Sequence, residues 1–387
     1  MHTTEIVVPA QNDLAAGLKQ FLSKLCVAVT IFLLLVVLGE LGSYIYLRFT
    51  LPTVPYADLR VPAGYLRELR ESVQHQYLPF VHFRRRPYQG RFISVDEQGV
   101  RQTLNSHCNE AGSLKIWMFG DSVLWGTGVV DRETIPSRLA RLYNASGRSV
   151  CVKNFAEQGW VSTQELVELL LQLKHSDGPP DFVVFYDGTD EVLLPQAGAP
   201  KDIDQSYYRF RDLLETSQAE AKPGLLFLRK SNTVRALNLI SQDIHRRLSK
   251  ARPSLSPVEA ETIAQALVDN YQKNLQVVDA LARTYGFQPF YFWYPTSSAG
   301  KKPLTAEERD FVRRDLQGNL ARFQLTQALY EICRKVHRPN YFYLGNALDD
   351  ERGQFYLDDA HLTPEGNEIM AEKIFQVLTK TKTNASP

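Results

Sequence analysis

Two short segments of this 387-residue chain carry residues that can together make a nucleophile: Gly120-Asp121-Ser122, and far downstream Asp358-Asp359-Ala360-His361. A serine hydroxyl attacks a carbonyl carbon when an imidazole takes its proton, and the imidazole needs a carboxylate to fix its tautomer. Ser122 follows the apolar run Leu114–Phe119, which reads as a buried strand, and Asp358 stands three residues before His361, so both project from one turn. The expected chemistry is nucleophilic hydrolysis with Ser122 as nucleophile, His361 as general base and Asp358 as its orienting carboxylate. Position 124 is Leu, so the G-x-S-x-G elbow of α/β-hydrolases is absent.

These groups need elements that bring them together. Short apolar, β-branched or aromatic runs at Leu114–Phe119, Val150–Asn154, Phe182–Tyr186, Phe290–Tyr294 and Tyr341–Leu344 read as strands. Helical periodicities lie between them, as in Leu166, Leu169, Leu170 and Leu173, or Leu267, Tyr271, Leu275, Val278 and Leu281. Such alternation predicts a three-layer α/β/α fold of flavodoxin-like type, with a mostly parallel five-stranded sheet. Ligands bind such sheets at the carboxyl ends of the strands. Ser122, Gly159, Asp190 and the Asp358/His361 turn all follow predicted strands, so one sheet edge is expected to gather them.

With two further blocks, these residues resemble the SGNH (GDSL-type) hydrolase superfamily over roughly residues 80 to 380. Gly120-Asp121-Ser122 matches the first block, with Val123 where Leu is common. Gly159 in Asn154-Phe-Ala-Glu-Gln-Gly-Trp160 fits the second, and Gly188-Thr189-Asp190-Glu191 stands where the third usually reads Gly-x-Asn-Asp. Asp358 to His361, followed by Leu362-Thr363-Pro364-Glu365-Gly366, fits the last. The resemblance implies an oxyanion hole made by the Ser122 N–H, the Gly159 N–H and a third donor at position 190. There the chain departs from the pattern. Keeping Gly188 aligned puts Asp190 at the Asn position, and the other alignment puts Thr189 there. An ionised aspartate only accepts hydrogen bonds, and helps an oxyanion only if its pKa is raised enough to keep it protonated.

Bulk composition excludes several classes. A net charge of +1 with 44% hydrophobic residues is an ordinary globular balance and gives no support for a nucleic-acid partner. No H-E-x-x-H appears, and the cysteines Cys108, Cys151 and Cys333 lack metal-type spacing, so neither metal nor cofactor is expected and at most one disulfide. Gly126-Thr-Gly128 lacks a third glycine and follows the serine motif, which rules out a dinucleotide reading. Trp125, Trp160 and Trp293 are candidates for stacking on a sugar, with wall packing the plainer role. Arg84-Arg85-Arg86 reads as a paired or solvated surface cluster, with phosphate binding as the alternative.

The N-terminus is apolar. From Leu25 to Leu47 the only charged residue is Glu40, a run of about 23 residues or roughly 34 Å as helix. A transmembrane helix over 25–47 is expected, with Glu40 reaching the headgroup layer or pairing with Arg48. Lys19 and Lys24 before it nearly balance Arg48 and Arg60 after it, so charge alone does not orient it. The expected organisation is a polar tail over 1–24, the span over 25–47, a juxtamembrane connector over 48–80 and the catalytic domain over 81–382. An insertion over about 195–257, with Val234, Leu237, Ile240, Ile244 and Leu248 at helical spacing, reads as a lid or as a helix packed on the domain.

The chain therefore reads as a single-pass membrane protein, and the resemblance implies that its domain faces the periplasm or the exterior. The expected activity is serine ester hydrolysis, or O-acyl transfer to a sugar hydroxyl in place of water. Its partners would be a small-molecule or carbohydrate ester and, through 25–47, the lipid bilayer. The rival class is a binding or scaffold protein of the envelope that keeps the fold with a weakened site, and Asp190 is the feature that sustains it.

Overall fold

The structure is a computed structural model and describes residues 11–50, 61–192, 231–234, 236–237, 240–241 and 254–383. The chain divides into two compact units, Met1–Thr53 with Leu214–Lys250, and Val54–Leu213 with Ala251–Pro387.

The first unit is built on α1 (Gln11–Thr50). Helix begins well inside the expected polar tail, because residues 14–24 are mostly good helix formers and no Pro interrupts them. The stretch Gly17–Leu47 is long and apolar enough to cross a membrane. Within this unit the Glu40 carboxylate accepts hydrogen bonds from Ser231 Oγ, Asn232 N and Thr233 N, so its partners come from the insertion. The described part of the insertion is helical over 232–234, 236–237 and 240–241. The remainder of the expected lid, including Ile244 and Leu248, lies outside the described residues.

The second unit carries the sheet. Five strands, β5 (Leu114–Gly120), β6 (Val150–Asn154), β7 (Phe182–Asp187), β8 (Gln288–Trp293) and β9 (Tyr341–Tyr343), pair in the order β6-β5-β7-β8-β9, all parallel. Near-continuous burial along β5, β7 and β8 explains why these strands read as apolar runs without alternation. The two-residue side-chain period still divides them. Ile116, Met118, Val184, Phe290 and Phe292 face one layer, which includes α4 (Ile135–Ala145) and α9 (Pro364–Thr383). Trp117, Phe119, Val183, Phe185, Tyr291 and Trp293 face the other, formed by α5 (Ser162–His175), α6 (Pro257–Tyr285) and α8 (Leu320–Cys333). The chain leaves β5 to one side for β6 and returns to its other side for β7. That reversal opens a crevice at the carboxyl ends of β5 and β7.

The helix ends are marked in the sequence. Ser256 and Glu259 form a capping box at the start of α6, Pro257 occupies its first turn, and Gly286 closes it with φ 81°. Thr134 caps α4 by accepting from Ser137 N.

The domain starts earlier than expected. Residues assigned to the connector form α2 (Tyr65–Ser72) and β1 (His75–Leu78). Tyr65 and Leu69 are buried in the sheet's core, because α2 has a strongly amphipathic pattern that needs a partner. Strand β1 pairs with β2 (His82–Arg85), and β3 (Tyr88–Gln89) with β4 (Ser94–Val95). The chain after β4 then covers the open edge of β6, through the Arg101–Asn154 bridge and a bond from His107 N to Val150 O of 2.8 Å. A disulfide, Cys108–Cys151, fastens this strap, while Cys26 and Cys333 are free.

The basic cluster is not a surface. Arg84 and Arg85 are fully buried, the first paired with Glu168 at 3.1 Å and the second with Glu157 at 3.1 Å. Only Arg86 is exposed. Burying guanidinium groups needs carboxylate partners inside the fold, and α5 and the loop after β6 supply them.

Candidate active site

The site begins where β5 stops. A Cβ at Gly120 would meet Tyr186 O at 2.6 Å, so only glycine lets β5 and β7 run together to this point. Asp121 then caps the one-turn helix α3 (Ser122–Trp125), its Oδ1 accepting from Val123 N at 2.7 Å. This cap places Ser122 at the first position of the turn, above the sheet.

Asp358 and His361 lie on the turn before α9. Asp358 Oδ1 accepts from Ala360 N at 2.9 Å and His361 N at 2.8 Å, which rolls the turn up. Its Oδ2 lies 2.7 Å from His361 Nδ1, and His361 Nε2 lies 2.8 Å from Ser122 Oγ. With Nδ1–H donating to the carboxylate, Nε2 is left to accept the Ser122 proton. Residues 239 positions apart are thus joined in one hydrogen-bonded relay.

Electrostatics follows from this contact. Burial acts to lower the His361 pKa, but the charge and hydrogen bond of Asp358 outweigh it and hold the imidazole at about 9. Burial likewise acts to raise Asp358, and the His361 charge overrides it and keeps the carboxyl ionised below its ordinary value.

Gly159 lies in the loop that follows β6, at φ 75°. Two backbone bonds tie this loop to β5, from Phe155 N to Met118 O and from Glu157 N to Gly120 O. Below it, the buried Glu157 carboxylate accepts from Arg85 N, Arg85 Nε and Gln158 N. The Arg85 guanidinium also lies 3.8 Å from the Trp125 ring centre, and Arg101 lies over the same ring at 4.3 Å. Arg101 further donates to Trp125 O, Gly126 O and Val129 O, shaping the loop after Ser122. Trp125, Trp160 and Trp293 are all fully buried, so none is a sugar platform. The indole of Trp160 carries Arg84 at 4.7 Å instead.

Asp190 sits in the 3-10 turn Thr189–Val192 at the end of β7 and is half-buried. Burial, and then the Asp121 charge, push its carboxyl well above the usual aspartate value, while His361 and Arg322 pull against them. A carboxyl kept neutral can donate a hydrogen bond. The alternative residue, Thr189, is fully buried, and its hydroxyl lies 3.0 Å from Tyr294 Oη. Gly188 permits that packing, since a Cβ there would meet the Tyr294 ring at 2.4 Å. The side chain of Asp359 is engaged by Arg322, and its carbonyl accepts from Ser297 N at 2.9 Å.

Sequence reasoning missed a buried acidic layer beneath this site. Asp121 Oδ2 accepts from Tyr294 Oη at 2.5 Å, and Asp187 Oδ2 from Tyr271 Oη at 2.8 Å. Glu191 accepts from Ser162 N at 2.7 Å. Burial raises Asp121, Asp187 and Glu191 to about 7 and pushes Glu165 up as well. For Asp121 and Asp187 the sequence signal was a carboxylate at the end of an apolar strand, as in Phe182–Asp187. Among the described residues no group of three or more His, Cys, Asp or Glu is arranged to hold a metal ion.

The arrangement can take a proton from Ser122 and orient the imidazole that takes it. A family model described as GDSL-like Lipase/Acylhydrolase matches residues 116–374. Among solved structures, the psychrotrophic esterase EstA from Pseudoalteromonas sp. is 12% identical, covering 70% of this chain and 100% of that one, at a TM-score of 0.35. A member of the lipolytic protein G-D-S-L family from Veillonella parvula DSM 2008 is 14% identical, covering 68% and 98%, at 0.32. The lipase Lip_vut3 from a goat rumen metagenome is 14% identical, covering 68% and 96%, at 0.35. No curated protein sequence matches the chain.

Proposed function

Because the chain belongs to the GDSL-like lipase/acylhydrolase family, we propose that it is a membrane-anchored serine esterase with Ser122, His361 and Asp358 as its catalytic residues. The observation that carries this reading is the relay from Asp358 Oδ2 through His361 to Ser122 Oγ, at 2.7 and 2.8 Å. Ser122 attacks the ester carbonyl as His361 takes its proton, the alcohol leaves with that proton, and an acyl-enzyme remains. His361 then activates water, whose attack releases the acid and returns the proton to Ser122. A sugar hydroxyl in place of water makes the same site an O-acyltransferase.

The developing oxyanion needs donors at the carboxyl ends of β5, β6 and β7. The N–H groups of Ser122 and Gly159 and the neutral carboxyl of Asp190 are the three we assign. The raised pKa of Asp190 supports its role as donor. Each donor of this kind is worth about 10²–10³ in kcat.

The apolar stretch Gly17–Leu47 supports a membrane anchor. Disulfides persist on the oxidising side of a membrane, so Cys108–Cys151 supports a domain facing the periplasm or the exterior. That location makes an O-acylated envelope carbohydrate the first substrate class to test.

A fluorophosphonate probe tests the reading, since labelling requires an activated nucleophile. It should label Ser122 in the purified protein, and Ser122→Ala should abolish both labelling and aryl-ester hydrolysis. No labelling of the wild type would favour the scaffold reading, in which the fold is kept and the chemistry is lost.

A further inference from the structure

Of the three interior strands of the sheet, two lead into residues that the proposed chemistry uses. Ser122 follows β5 and Asp190 follows β7, whereas β8, paired between β7 and β9, leads into neither nucleophile nor base. The segment after β8 is nonetheless polar and buried, with Tyr294, Thr296, Ser297 and Ser298 all covered. Burying hydroxyls costs free energy unless they are hydrogen-bonded, so their partners show what the segment holds.

Tyr294 holds two turns of the site at once. Its N–H donates to Asp187 O at 2.9 Å, which carries the β7–β8 pairing one residue past the strands. Its Oη donates to Asp121 Oδ2 at 2.5 Å and accepts from Thr189 N at 2.9 Å. Burial and the Asp121 charge push the phenol well above its ordinary value, so it keeps its proton. A phenol has one proton and two lone pairs, so with the proton toward Asp121 the Thr189 hydroxyl, 3.0 Å away, donates as well. Packing fixes the ring: its centre lies 5.3 Å from that of Tyr186, and a Cβ on Gly188 would meet it at 2.4 Å.

Both turns bear on the oxyanion. Asp121 caps the first turn of α3, where the Ser122 N–H lies. Thr189 opens the 3-10 turn in which Asp190 comes next. The same segment also reaches the base, since Thr296 Oγ1 and Ser297 N donate to Asp359 O at 2.6 and 2.9 Å. Residues 294–297 thus touch the nucleophile turn, the Asp190 turn and the His361 turn. We propose that Tyr294 is a positioning residue that fixes the spacing between the Ser122 N–H and the Asp190 carboxyl, so that both reach one oxyanion. It acts through Asp121 and Thr189, not on the substrate. This deepens, and rests on, the assignment of Ser122 as nucleophile and Asp190 as oxyanion donor.

The test uses the full chain in detergent, with sites counted by fluorophosphonate labelling run to completion, so that kcat is expressed per labelled site. Tyr294→Phe keeps the ring and removes the hydroxyl. It should lower kcat per site by about 10–10²-fold while KM for an aryl ester changes by less than about twofold. Asp190→Ala alone should slow turnover by about 10²–10³. Adding Tyr294→Phe to it should cost less than about threefold, because the second turn then carries no donor to place. Should Tyr294→Phe not fold, Gly188→Ala carries the test, since its Cβ displaces the same ring from the other side. It should lower kcat per site in the same way, and wild-type turnover there overturns the proposal. A tyrosine that only supports the fold would reduce the number of labelled sites and leave kcat per site and KM alone, which also overturns it. So does an equal loss from Tyr294→Phe with and without Asp190→Ala. Asp190→Ala as fast as wild type removes Asp190 from the oxyanion hole, and the proposed spacing with it. A wild type that does not label, or hydrolysis that survives Ser122→Ala, overturns the esterase reading itself.

Discussion

Arg85 and Glu157 form a fully buried ion pair at 3.1 Å beneath the loop that carries Gly159. The arginine comes from a hairpin upstream of the sheet, and the glutamate from the loop that follows β6. Their contact therefore ties the N-terminal hairpin to the site. Removing one partner of a buried pair leaves an uncompensated charge, which typically costs about 3–5 kcal/mol. Glu157→Gln should lower stability by about that amount in chemical denaturation, and should lower kcat in the fraction that stays folded because the Gly159 N–H moves. A variant with unchanged stability would show that the pair is not buried in solution.

Ester hydrolysis should rise with pH. The base must be neutral imidazole, and Asp358 holds His361 at about 9. Protonated His361 is inactive, so kcat/KM should climb through neutrality, pass half its limit near pH 9 and level only above it. A profile already flat just above the ordinary imidazole value of 6.5 would contradict this account. Asp358→Asn should cost about 10⁴ in kcat, since the tautomer is no longer fixed.

Asp190→Asn separates a neutral acid from an ionised one. If the wild-type carboxyl is protonated, the two proteins should turn over at similar rates at neutral pH. As pH rises through the raised Asp190 pKa, the wild type loses its donor while the Asn variant keeps its amide. The gap between the two kcat–pH profiles should then open to about 10²–10³. A faster variant at every pH would mean that Asp190 is ionised and repels the oxyanion. Coincident profiles throughout would remove position 190 from the oxyanion hole.

The buried acids make stability depend on pH in an unusual direction. Burial raises Asp187 from 3.8 to about 7, so the folded state holds a proton that the unfolded chain releases above 3.8. Stability contributed by that protonated form is present below the unfolded value and is lost as pH rises toward about 7. Each such group gives a slope of at most about 1.4 kcal/mol per pH unit. Thermal unfolding across this window should show wild type losing stability, and Asp187→Asn should flatten the decline. An unchanged slope in the variant would mean that Asp187 is ionised in the folded protein.

Much of the scaffold was legible because a parallel sheet buried on both faces needs strands that are apolar throughout. Leu114–Phe119, Val150–Asn154 and Phe182–Tyr186 read that way and became β5, β6 and β7. That Ser122, Asp358 and His361 would meet was legible for a related reason: in such a sheet, segments that follow the strands gather at one edge, so place along the chain brings them together. What one residue meets across the fold was not legible. Arg84 and Arg85 look like solvated charge until Glu168 and Glu157, more than seventy residues away, supply the carboxylates that let them be buried. Trp125 and Trp160 look like ligand platforms until those arginines cover them. Glu40 looks like a charge seeking the headgroup layer until the helix at Asn232, 192 residues later, presents its free N–H groups. Local pattern sets which face of an element must be covered, because burial of apolar area is non-directional and additive. Partner choice for charged and aromatic groups depends on direction and desolvation, which exist only once distant segments have met.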